Sequence, residues 1–151
     1  MAVNAPLQFL GFNVFRVVFE RSTTFNQGEF TINVQFLTEH LNPEDKLSFQ
    51  IVFIVTINSN TNSHPCNLQV QALGDFKVLG EVEQHVMDNY VQISAPSITY
   101  PYLRAFVSNL FLQSGMQPII LPPLNFTDKN PQPVNPPEQQ ESDTGTEKYN
   151  S

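Results

Sequence analysis

The sequence predicts an α+β fold: a four-stranded antiparallel sheet running as a meander, with a long helix and a short helix packed on one face. Three observations carry that expectation. Four Phe- and Val-rich stretches between positions 7 and 78 alternate apolar and polar residues, and polar turn clusters separate them. One later stretch places Leu103, Phe106, Val107, Leu110 and Phe111 at i, i+3, i+4, i+7 and i+8, the spacing of a one-sided helix. The strands precede the helices rather than alternating with them, so the crossovers of a dozen or more residues that parallel strands need are missing.

The first strand, Leu7 to Glu20, is apolar on both parities, with Phe12, Val14 and Val18 against Phe15, Val17 and Phe19. It should therefore be covered on both sides for part of its length, with Gly11 marking a bulge or bend. Arg21 to Gly28 is a polar connection. The second strand, Glu29 to Leu41, alternates Phe30, Ile32, Val34 and Phe36 with Thr31, Asn33 and Gln35, as a strand with one wet face does. After the turn at Asn42-Pro43-Glu44-Asp45, Leu47 to Ile57 resumes the period, and Val52 and Ile54 make its middle apolar on both faces, so it reads as central. A second turn cluster, Ser59 to Ser63, leads to a fourth strand with Cys66, Leu68, Val70 and Ala72 on one face, ending near Gly74 and Val78.

A short helix follows over Glu81 to Val91, opened by two acids that suit the helix dipole, with Val82, His85, Val86 and Tyr90 on one side. A break at Ser94 to Ser97 separates it from the long helix. Ser97 reads as that helix's N-cap, which puts Pro101 in the first turn, where it costs no hydrogen bond. Gly115 closes the helix, and Met116 to Phe126, with Pro118, Pro122 and Pro123, continues as an extended apolar arm. Beyond Phe126 the composition turns polar and proline-rich. Residues 1–126 are thus expected to form one domain, and 127–151 a disordered acidic tail.

The chain has 151 residues and a net charge of −7, of which −4 falls in Met1 to Phe126 and −3 in the tail. That sign disfavours nucleic acid, whose phosphates need clustered Lys and Arg. No run of about 18 apolar residues predicts a membrane span. MAVNAPLQF lacks a basic start and a cleavable apolar core, and Cys66 has no internal partner, so the reducing cytoplasm is the expected compartment.

Catalytic patterns are weak. His40, His64 and His85 make no H-x-x-x-H pair, and one cysteine cannot make a C-x-x-C site, so neither a metal nor a cofactor is expected. Cys66 sits in an alternating strand as a small buried hydrophobe. Glu81 and Glu83 are explained by the helix start, and the chain is not expected to be an enzyme. What stands out is surplus apolar surface: thirteen Phe with only 14% charged residues. Phe9, Phe25, Phe30, Tyr100, Tyr102, Ile119, Ile120, Leu121 and Phe126 either enlarge the core, form an oligomer interface or make a binding surface.

Tyr100-Pro101-Tyr102 with Arg104, a helix closing on Gly115, and then Pro118, Leu121, Pro123, Asn125 and Phe126 resemble the SecB family of bacterial protein-export chaperones. The likeness covers about residues 7 to 126. It implies an ATP-independent holdase, assembled as a dimer of dimers, that keeps unfolded precursor proteins export-competent in apolar grooves and delivers them to the SecA motor. Carried onto this chain, the groove positions are Phe30, Ile32, Val34, Tyr102, Ile119, Leu121 and Phe126. The assembly surface falls on the helix at Leu103, Phe106, Val107 and Leu110, and the motor contact near Glu20 and Gln69. Gln69 stands where the family has an acid, Arg21 adjoins Glu20, and Asn26 stands about where the family has a groove tryptophan. Some SecB-like proteins serve toxin–antitoxin systems, and the sequence leaves open a chaperone dedicated to one such partner.

Overall fold

The computed structural model describes residues 5–24, 29–59 and 65–127. Phe25, Asn26 and His64 lie outside them, as do residues 128–151 of the expected tail. Four strands form one antiparallel sheet: β1 (Leu7–Arg21), β2 (Phe30–Glu39), β3 (Ser48–Ser59) and β4 (Cys66–Val78). Helix α1 (Gln84–Asn89) runs through a π-helical turn, Tyr90–Ser94, into α2 (Ala95–Gln113).

The strand order is β1-β4-β3-β2, a Greek-key arrangement and not the full meander that the short turns suggested. Strands β2, β3 and β4 do follow one another, but β1 lies beside β4. The link from β1 to β2 makes this possible. Eight residues can reach roughly 26 Å when extended, whereas crossing three strand spacings takes only about 14 Å.

One face of the sheet packs inward. The register aligns Phe36 with Phe53 and Ala72, and Ile32 with Ile57 and Leu68, so inner-face apolar residues run in rows across the strands. Strand β1 stays in phase only by shifting register between Phe9 and Gly11 and between Val14 and Arg16. The second shift leaves Phe15 unpaired beside Arg16, which pairs with Gln71, and returns Val17 and Phe19 to the inner face opposite Val70 and Leu68. The expected cover on both sides of β1 is absent among the described residues: Leu10, Phe15 and Val18 are exposed.

Ser97 does not cap a helix. The backbone is already helical through Ser94 and Ala95, and the Ser97 hydroxyl donates back to the Ile93 carbonyl at 2.6 Å. Pro101 therefore lies inside α2 rather than in its first turn. His85 is exposed beside Glu83, and Val82, Met87, Tyr90 and Val91 pack toward the core instead.

Helix α2 lies closest to β4 and β1. Its inner stripe is Tyr100, Leu103, Val107 and Phe111, all buried. Close approach is possible because Gly74 lacks a side chain: a Cβ there would stand 2.3 Å from the Thr99 hydroxyl oxygen. The helix closes as a Schellman motif around Gly115 (φ 85°), with Met116 N–H donating to Phe111 O at 3.0 Å and Gly115 N–H to Leu112 O at 3.1 Å.

Candidate functional site

Because α2 leans toward β4 and β1, the inner face of β2 and part of β3 needs another cover. The segment after Gly115 supplies it. Residues 117–123 adopt neither helix nor strand, as expected where Pro118, Pro122 and Pro123 withhold N–H groups. The arm is held to α2 by side chains that donate to its carbonyls: the Ser108 hydroxyl to Ile119 O at 2.6 Å, and the Tyr100 hydroxyl to Pro122 O.

At the arm's end Phe126 enters a box of three rings. Its centroid lies 5.4 Å from Phe36, 5.8 Å from Tyr100 and 6.3 Å from Phe53, each in an edge-to-face arrangement. Such pairs contribute about 0.5–1.5 kcal/mol each beyond area burial. Tyr100 also packs on Phe53 at 5.6 Å, and the Arg104 guanidinium lies over its ring at 5.9 Å. Burial pushes the Tyr100 phenol up to about 12, against the smaller opposing pull of Arg104. Nε of Arg104 is buried and has no hydrogen-bond partner among the described residues.

The expected groove residues divide into two groups. Phe30, Ile32 and Val34 line the inner face of β2, partly buried, with the Phe30 ring 5.9 Å from Phe111 of α2, and Ile119, Leu121 and Phe126 belong to the arm, whose Phe126 meets Phe36 further along β2. Leu121 and Phe126 are buried within the chain itself. Tyr102 does not join them: it sits at the opposite edge of the sheet, against Phe9 at 5.2 Å and Phe12 at 5.7 Å. The rings around Phe126 are instead those of Tyr100, Phe36 and Phe53. Two of these carried a signal, since Phe36 continues the parity of Phe30 to Val34 and Tyr100 precedes Leu103 by three residues on the same helical stripe.

The helix residues expected at an oligomer interface also divide. Leu103 and Val107 face the chain's own sheet with no exposure, so they offer nothing to another copy. Phe106 and Leu110 are partly buried at the flanks. The open side of α2 carries Ile98, Tyr102, Ala105, Asn109 and Leu112.

The outer face of the sheet has two ends of different character. Leu37, Val52, Ile54 and Leu73 line an apolar hollow of about 400 Å³ together with Phe15, Glu39 and Gln71. Glu20 and Gln69 lie at the other end, where the register places them among Asn67, Asn58, Thr56, Thr31 and Asn33. Cys66 is buried, its thiol 4.0 Å from the Met116 sulfur, and burial raises its pKa. Among the described residues no group of three or more His, Cys, Asp or Glu could hold a metal, and no helix is long and apolar enough to cross a membrane.

Comparison with known proteins is consistent with this architecture. Residues 15–131 match the SecB family, described as preprotein translocase subunit SecB. The protein-export protein SecB of Xanthomonas campestris pv. campestris strain 8004 is 30% identical over 102 residues, which is 67% of this chain and 58% of that protein. The SecB of Aromatoleum aromaticum is 30% identical over 97 residues, 63% of this chain and 60% of that one. The match thus spans under two thirds of these relatives' length. Among solved structures, the SecB-like chaperone Rv1957 of Mycobacterium tuberculosis, in complex with a ChAD peptide from the Rv1956 HigA1 antitoxin, superposes with a TM-score of 0.61 at 13% identity. That superposition covers 76% of this chain and 85% of the other. On the strength of the family match across most of its length, this chain belongs to the SecB family.

Proposed function

We propose that this chain is an ATP-independent holdase that takes unfolded precursor proteins onto the apolar inner face of β2, where the arm lies in the free protein, and keeps them competent for export by the Sec translocase. One observation supports this most directly. Phe36 and Phe53 of the apolar sheet face are covered by Phe126, at the end of a segment that is neither helix nor strand through residues 117–123 and makes a single bridge at Leu124, the kind of cover that can give way to another extended chain. Apolar burial is not directional, so such a surface accepts many sequences. Holding is stoichiometric and needs neither catalytic group nor cofactor. The cytoplasm, where precursors are made, is the place of action.

The working form in this reading is a homotetramer, a dimer of dimers. Ile98, Tyr102, Ala105, Asn109 and Leu112 are exposed on α2 at alternating spacings of four and three, a stripe suited to packing against another helix. Light scattering at micromolar concentration should give a mass near four chains, and a monomer would refute the assembly. Holdase action is tested by adding the protein to a reduced, aggregating client and following turbidity; unsuppressed aggregation at one tetramer per client would sink the function.

A second reading is a SecB-like chaperone dedicated to one partner, such as an antitoxin, without SecA delivery. It is favoured by the amide- and hydroxyl-rich surroundings of Glu20 and Gln69 on the outer face, a weak surface for an acid-dependent motor contact. Affinity capture from lysate separates the readings: many unrelated unfolded chains together with SecA speak for export, a single recurrent protein for the dedicated role.

A further inference from the structure

We propose that the arm is an internal occupant of the groove: in the free protein Leu121 and Phe126 fill the space that a client would take, and a client binds only by displacing them. The inference rests on the holdase reading and adds a competition within the chain itself.

The arm has the chemistry of a client. Residues 118–126, PIILPPLNF, are uncharged and apolar but for Asn125, with neither helix nor strand through 123 and a single bridge at Leu124. Phe126 lies inside the ring box of Phe36, Phe53 and Tyr100, and Leu121 is fully enclosed, so the best apolar positions on this face are taken. The arm is also built to leave. Ile120 is 72% exposed and Pro123 is exposed as well, so among the described residues no second layer lies over these positions. Its links to α2 include two side-chain-to-carbonyl hydrogen bonds, from Ser108 and Tyr100. The Schellman closure at Gly115 and Met116 completes α2 before the arm begins, so release of the arm leaves the helix end satisfied.

Competition of this kind has a measurable cost. When only the open fraction of a protein can bind, the apparent affinity falls by that fraction. Weakening the arm's hold should therefore strengthen client binding, whereas a wall that contributes contacts to the client would do the opposite when weakened.

The test uses the full chain and reduced, carboxymethylated α-lactalbumin as an unfolded client. Ser108→Ala combined with Tyr100→Phe removes both hydrogen bonds and keeps both helix positions packed. Client affinity should rise roughly tenfold, as the loss of two ordinary hydrogen bonds from the closed state allows. Phe126→Ala should raise it as well. The Leu121 methyl resonances of the wild-type protein give an independent readout: saturating client should move them out of their enclosed environment while those of Leu103 stay in place. Weaker or unchanged affinity in the double variant, or Leu121 methyls unmoved with client bound, would overturn the inference. So would global unfolding of the double variant, because the arm would then be core. A wild-type protein that binds no client sinks the holdase reading and this inference together, whereas client binding with Leu121 still enclosed sinks this inference alone.

Discussion

Helix α2 and the arm that follows it cover the two halves of one sheet face, and each buries a leucine completely, Leu103 and Leu121 both being 0% exposed. What holds them differs. The helix satisfies most of its own backbone, Pro101 being the interruption, meets β4 at the gap left by Gly74, and ends in a hydrogen-bonded cap. The arm has no helix or strand through residues 117–123 and leans on hydroxyl groups of its neighbour. Equal burial therefore does not mean equal permanence, since local opening depends on how many interactions break together.

The sharpest way to break that contrast is to truncate the two leucines in parallel. Leu103→Ala should cost about 3 kcal/mol of global stability, in the range for emptying a fully buried leucine site, read from urea unfolding. Gly74→Ala comes next, at about 2 kcal/mol, because its new methyl group collides with Thr99 under a rigid helix. Adding Thr99→Ala should recover most of that loss, and a double-mutant cycle without coupling would show that the close approach is unimportant. Leu121→Ala should cost only about 1 kcal/mol globally, because its effect is capped by the free energy of releasing the arm. Equal losses at Leu103 and Leu121 would make the arm an ordinary part of the core.

A last effect, absent at neutral pH, is expected under alkaline conditions. The Tyr100 phenol is held at about 12 in the fold against 10.0 for the unperturbed group. A raised phenol pKa means that the neutral form is favoured by folding. Its contribution is fully present below pH 10 and is lost as pH rises from about 10 to about 12. Tyr100→Phe should flatten that part of the stability profile, and an unchanged slope between wild type and variant would count against the buried neutral phenol.

Much of this architecture could be read without coordinates. Period-two alternation located β2, β3 and β4 because one face of each packs against the core. The stripe of Leu103, Val107 and Phe111 located α2, and Gly115 marked its end. The failures share a cause. Ser97 after Pro96 looks like a helix start, yet the π-helical turn at Tyr90–Ser94 carries the helix through that point, and no local pattern announces such a turn. The family resemblance places Tyr102 beside Leu121 and Phe126, yet it packs on Phe9. Residues two apart on a helix face nearly opposite directions, about 200° apart, so only one of the two tyrosines could meet Phe126, and it is Tyr100.

The sequence by itself determined which segments are strands, which is the long helix, where the helix ends, and the family to which the chain belongs. These depend on residue type and short-range spacing, which a linear reading contains. Only the tertiary structure decided that β1 pairs with β4, that β1 changes phase to aim Phe15 outward, and that Tyr100 rather than Tyr102 meets Phe126. It also decided that Leu121 and Phe126 of the arm are buried. Each of these outcomes is set by contacts between residues far apart in the chain, where several pairings satisfy the same local pattern and packing selects one.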